Sequence, residues 1–206
     1  MKKIEVEGSK EISKEKKEAL RELASEKDIV IDIEAFKDEF EHHQNLSRKA
    51  TAGTFQSGLA DHSEKTTRLH TATHLLQQAL RNVLGDHVEQ KGSNITPERT
   101  RFDFSHSGNL SAEEIKKVEE IVNQKIQEAL PVNKEILTPQ EAQKQGALGF
   151  FEERYQGKVS VYSVGSFSKE ICTGPHVKNT QEIGQFKIQK QKNIGSGLIR
   201  IRATVE

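Results

Sequence analysis

The sequence predicts an α+β fold: helices packed on a mainly antiparallel sheet, preceded by a helical N-terminal extension. Three observations predict it. Two well-bounded stretches repeat apolar residues every three to four positions, as helices with one buried face do. Four other stretches alternate apolar and polar residues with period two, as half-buried strands do. Three of those four lie together at the C-terminal end, which segregates helices from sheet.

Residues 1–57 read as the helical extension and linker. "ISKEKKEALRELASEK" and "IEAFKDEFEHHQNLSRK" are charged and helix-prone, with sparse apolar positions at Leu20, Leu23, Phe36 and Phe40 around the short break "IVIDI". The polar stretch "ATAGTFQSGLADHSEKTT" leads into the main domain, 58–206. Its first helix contains "RLHTATHLLQQAL", with Leu69, Ala72, Leu76, Ala79, Leu80 and then Val83 on one face, and ends near Gly85. "TRFDFSH" follows as a strand burying Phe102 and Phe104. Ser111 with Glu114 forms a capping box for a second helix that buries Ile115, Val118, Ile121, Val122 and Ile126. Thr138-Pro139 with Glu141 opens a short third helix that stops at Gly146. "KVSVYSV", "GQFKIQK" and "LIRIRATVE" are the closing strands.

Bulk composition narrows the function. Of 206 residues, 33% are hydrophobic and 30% charged, and 31 basic residues balance 31 acidic ones. A neutral chain has no long-range pull on nucleic acid or membrane, so any basic surface must be local. The single cysteine, Cys172, excludes an internal disulfide and fits a reducing, cytoplasmic setting. Neither a secretory leader nor an apolar run long enough to span a bilayer is visible, so no membrane partner is expected.

His70 and His74 lie four apart on the first helix, so both imidazoles leave one face, a turn apart. Far downstream, Cys172 is followed four residues later by His176 in "EICTGPHVKN". Gly174-Pro175 between them breaks a helix, which puts this pair on a turn after a strand. Three imidazoles and a thiolate suit Zn²⁺ rather than Mg²⁺ or Ca²⁺. On spacing alone the bland alternative stands beside it: a solvated or self-satisfied histidine pair and a small buried cysteine. A zinc protease of the HExxH kind does not fit, because Thr71 stands where the general-base glutamate belongs.

"LHTATHLLQQALRNVLGDHVEQKGSNITPERTRFDFSH", "SKEICTGPHVKNTQEIGQFKI" and "GSGLIRIRA" resemble, in order, the editing domain of alanyl-tRNA synthetases. The domain also stands alone in AlaX-type trans-editing proteins and is related to the editing domain of threonyl-tRNA synthetases. The resemblance implies a zinc-dependent deacylase that cleaves serine or glycine from the 3′ end of tRNA(Ala), with zinc held by His70, His74, Cys172 and His176. Such proofreading answers the weak discrimination that binding alone gives between small side chains. Four protein donors would close a tetrahedral shell, whereas a catalytic zinc keeps a position open; both arrangements stay open here.

The resemblance also implies four pocket residues. Thr73 matches a threonine whose hydroxyl bonds the serine side chain, and Gln90 a glutamine lining the pocket. Glu170 falls where an acid orients a ligand or takes a proton from water, and Asp103 is a further candidate. Without the resemblance each has a plainer reading: self-bonded hydroxyl, loop amide, strand-end carboxylate, surface acid. Lys187, Lys190, Lys192, Arg200 and Arg202 are candidate contacts to tRNA phosphates, or solvated strand-edge charge. The alanyl family often has two glycines after the cysteine and threonine before the last histidine. Here Thr173 and Pro175 replace two of those residues, and the "CTGPH" form resembles the threonyl relative, so a threonyl-type or broader tRNA specificity is the alternative. A third is a tRNA-binding module without activity. The chain shows no aminoacylation core, which admits a fragment of a synthetase as well as a free-standing protein.

Overall fold

The computed structural model describes residues 59–149 and 157–206. The expected helical extension and linker, 1–57, lie outside the described residues. Helix α1 spans Glu64–Leu84. It starts there because the Ser63 side chain accepts from the Thr66 N–H, and it stops at Gly85. Leu69, Ala72, Leu76, Ala79 and Leu80 are fully buried, as the sequence period predicts. Helix α2, Ala112–Gln127, opens with the Ser111–Glu114 capping box in both directions and buries Val118, Val122 and Ile126. Helix α3, Pro139–Lys144, has the same reciprocal cap from Thr138 and Glu141.

Two antiparallel sheets complete the fold. One runs β1 (Gln90–Thr96), β2 (Arg99–Ser105), β7 (Leu198–Val205), β6 (Phe186–Gly195). The other runs β3 (Val132–Leu137), β4 (Val159–Val164), β5 (Ser168–Ile171). Strands β2, β4, β6 and β7 are those the alternation predicts; β1, β3 and β5 are additional. Phe102, Phe104, Phe186, Ile199 and Ile201 project from the larger sheet into one core with the apolar faces of α1 and α2. Each large side chain removed from water there contributes about 1.5–3 kcal/mol.

A tight junction locks the C-terminal end against α1. Arg68 donates through Nε and Nη2 to the Ile183 carbonyl, and Nη2 also reaches the Glu206 carbonyl at 2.7 Å. Gly184 sits beneath them at φ +81°, ψ −150°, a backbone region reserved in practice for glycine. A β-carbon on it would overlap the Glu206 carbonyl and touch the Arg68 guanidinium. Among the described residues no helix is long and apolar enough to cross a membrane.

Candidate metal centre

Helix α1 carries His70 and His74 on the side where the backbone leaves β5. Residues Cys172–Val177 follow β5 without regular structure, as the Gly174-Pro175 pair dictates, and bring Cys172 and His176 back to α1. One nitrogen from each imidazole and the Cys172 sulfur all lie within 4.8 Å of one another. Donors gathered this closely could share one ion, which zinc sites bond at about 2.0–2.3 Å. His70 and His176 stack at 4.2 Å between ring centroids, and His74 packs against His176 at 4.5 Å.

Hydrogen bonds fix how these rings present themselves. His70 Nδ1 donates to the Pro175 carbonyl at 3.0 Å, leaving Nε2 bare and 3.2 Å from Cys172 Sγ. His74 Nδ1 and His176 Nε2 are buried with no hydrogen-bond partner. Two orphaned ring nitrogens in one pocket are costly in a packed interior, unless an electron-pair acceptor completes them. The donor set, three imidazoles and a sulfur, is the one that borderline and soft cations select. The residues present therefore fit a metal ion of the zinc type.

Burial sets the protonation of the site. It draws the pKa of His70 down to about 4 and pulls His74 and His176 well below the ordinary histidine value, so all three rings are neutral near pH 7. Burial pushes the Cys172 thiol up to about 12 and the Glu170 carboxyl up to about 8. The contact of Glu170 Oε2 with His74 Nε2, at 3.7 Å, is accordingly between neutral groups and too long for a hydrogen bond. Ser168 Oγ donates to the other Glu170 oxygen at 3.3 Å.

The remaining predicted residues divide between two sides of the larger sheet. Thr73 lies on the α1 side, its hydroxyl donating to the Leu69 carbonyl at 2.8 Å and meeting Thr100 Oγ1 at 3.0 Å. Gln90 opens β1 opposite Phe104, which puts it on the same inner face, next to a bulge. Asp103 does not join them. It alternates with Phe102 and Phe104, so it projects from the outer face, where it accepts two bonds from Arg200 at 2.7 and 2.8 Å.

That outer face gathers the predicted cations. Lys190 is paired with Arg202 and Lys192 with Arg200, and the four, with Gln191, line a cleft of about 170 Å³. Lys187 lies further along β6 opposite Thr204, outside the cleft. Arg101 faces Arg202 across β2 and β7. Burial, then the nearby Arg202 and Arg101, lower the Arg99 pKa, which places it in the same positive field. Arg99 and Arg101 were not among the predicted contacts; their period-two spacing with Asp103 in "ERTRFDF" is the signal that finds them. Sequence reading also missed Tyr162, whose ring lies 4.2 Å from His176, and Thr100, which needs the β2–α1 packing to be seen.

Residues 159–202 match the threonyl and alanyl tRNA synthetase second additional domain. The chain is 55% identical over 186 residues to the alanine–tRNA ligase of Borrelia garinii subsp. bavariensis, covering 90% of this chain and 31% of that protein. It is 52% identical over 189 residues to that of Treponema denticola, covering 92% and 32%. The chain belongs to the alanyl-tRNA synthetase editing-domain family. A Thermotoga alanine–tRNA ligase extends the likeness, at 51% over 140 residues, 68% of this chain and 16% of that enzyme. The editing-domain region spans about a third of the length of the first two ligases. Both the ligand-bearing helix and the turn after β5 fall inside the matched share.

Proposed function

We propose that this region hydrolyses the ester joining serine or glycine to the 3′ end of tRNA(Ala), with Zn²⁺ held by His70, His74, Cys172 and His176. The observation that supports it most is the meeting of four soft or borderline donors, two with unpartnered nitrogens, in a chain of the editing-domain family. When bound, zinc supplies Lewis acidity, polarising an ester carbonyl or lowering the pKa of a water towards about 7. The protein's own groups do the sorting. Thr73 gives its proton to Leu69 O, which leaves its oxygen able to accept from the hydroxyl of a serine substrate. Gln90 on the same side offers an amide to the ester or the ribose. Glu170, bonded by Ser168, packs beside His74 without a hydrogen bond to it, where a carboxyl can exchange a proton with an attacking water. Asp103 acts instead through Arg200 on the outer face, where Lys187, Lys190, Lys192, Arg200 and Arg202, with Arg99 and Arg101, hold tRNA phosphates. An acceptor end that used both surfaces would pass round the sheet edge.

The deciding experiment mixes the chain with Ser-tRNA(Ala), Gly-tRNA(Ala), Ala-tRNA(Ala) and Ser-tRNA(Thr) and follows amino-acid release, before and after dialysis against a strong chelator. Release from the first two, lost on chelation and restored by zinc, is expected. Cleavage of Ser-tRNA(Thr) at the same rate would replace the alanine specificity with a broader one. Binding without any release would reduce the region to a tRNA-binding module.

A further inference from the structure

Thr71 lies between the two helix histidines, fully buried. Its hydroxyl is engaged three times. It donates to the Thr67 carbonyl at 3.2 Å, accepts from the Val177 N–H at 3.2 Å, and lies 3.1 Å from His176 Nδ1. A hydroxyl has one proton and two lone pairs. With the proton on Thr67 O and one lone pair taken by Val177, the other lone pair can only accept. That arrangement assigns the proton of the third contact to His176 Nδ1. That leaves His176 Nε2 bare, and it is the buried nitrogen without a partner.

We propose that Thr71 is a positioning residue of the metal centre: its hydroxyl holds His176 as the Nδ1–H tautomer, presents Nε2 to the ion, and clips α1 to the Cys172–Val177 turn. This rests on reading the cluster as a metal site. The Pro175 carbonyl gives His70 its tautomer in the same way, so the two segments orient each other's ligands: the turn sets a helix histidine, and the helix sets the turn histidine. A threonine where a protease helix has its catalytic glutamate thus has a different task. Valine in its place would keep nearly the same shape, strand the Val177 N–H, and release His176 to the Nε2–H tautomer, which cannot ligate through Nε2.

The test uses the 206-residue chain with ¹⁵N-labelled histidine. In the metal-free protein, long-range ¹H–¹⁵N spectra read each ring's tautomer. His176 is expected as Nδ1–H in the wild type and in Thr71→Ser, and shifted towards Nε2–H in Thr71→Val. Competition against a chromophoric chelator then measures zinc affinity. Thr71→Val is expected to bind about 10–100-fold more weakly, the usual effect of losing a ligand's orienting partner, with Thr71→Ser restoring most of it. An Nε2–H wild-type ring, or equal zinc affinity in Thr71→Val and wild type, overturns the proposal. A wild type that binds no zinc overturns the metal reading instead, and that arm is separate from the metal-free spectra. Should Thr71→Val fail to fold, the wild-type tautomer decides alone.

Discussion

Replacing Asp103 with asparagine separates two accounts of that residue. The substitution keeps the shape and removes the charge that pairs with Arg200 at 2.7 and 2.8 Å and with Arg101 at 3.8 Å. Asp103 has about a tenth of its side chain exposed and Arg200 about a quarter, so the pair is partly screened and its loss should cost about 1 kcal/mol of stability. Binding should move the other way. Arg200, no longer neutralised, becomes one more cation available to phosphate, and each duplex phosphate contact adds about 0.9 to the slope of log affinity against log salt. Over a fourfold rise in salt, from about 50 to 200 mM, that is an extra loss of roughly 3.5-fold. Fluorescence anisotropy with tRNA(Ala) across that range, beside urea unfolding, measures both. Asp103→Asn should bind more tightly at low salt, with a steeper salt dependence and a lower unfolding midpoint. An unchanged slope refutes the phosphate-holding face. A hundredfold fall in deacylation with unchanged tRNA affinity returns Asp103 to the chemistry.

Three further outcomes are expected. Gly184→Ala should destabilise the region by about 2–4 kcal/mol, since it combines a forbidden backbone region with overlap of the Glu206 carbonyl; a melting temperature within 2 °C of wild type would contradict the junction. Thr73→Val should slow Ser-tRNA(Ala) cleavage about tenfold, on the scale of one neutral hydrogen bond, and leave Gly-tRNA(Ala) untouched; equal slowing of both would deny it a role in sorting. Cys172→Ala should weaken zinc binding in competition against a chromophoric chelator, because one anionic ligand of four is lost; an affinity equal to wild type would remove Cys172 from the ligand set.

What could be read from the residues depended on whether the signal was local. Helices α2 and α3 announce themselves through Ser111 with Glu114 and Thr138 with Glu141, whose capping bonds span three residues. Strands β2 and β7 show their alternation because one face meets the core. Strand β3, "VNKEIL", has four exposed residues in a row, and β1, "QKGSNIT", carries glycine and asparagine, so only pairing with a neighbour makes them strands. The four candidate ligands were legible from two short spacings and a proline. The tasks of Thr71, Thr100 and Tyr162 were not, because each is defined by a contact with a residue at least 14 positions away. Asp103 shows the limit most clearly. Its neighbours Phe102 and Phe104 told which way it pointed, but not that an arginine 97 positions on was waiting there.

The period-two backbone of β2 acts as a partition. Thr100 touches the helix that carries the histidines, while Arg101 and Asp103, one and three residues later, belong to the opposite side. On the proposed function, grip on a polyanion and the breaking of its terminal bond would be written in alternate letters of the same strand. Single substitutions should then retune either without a word changed in the other.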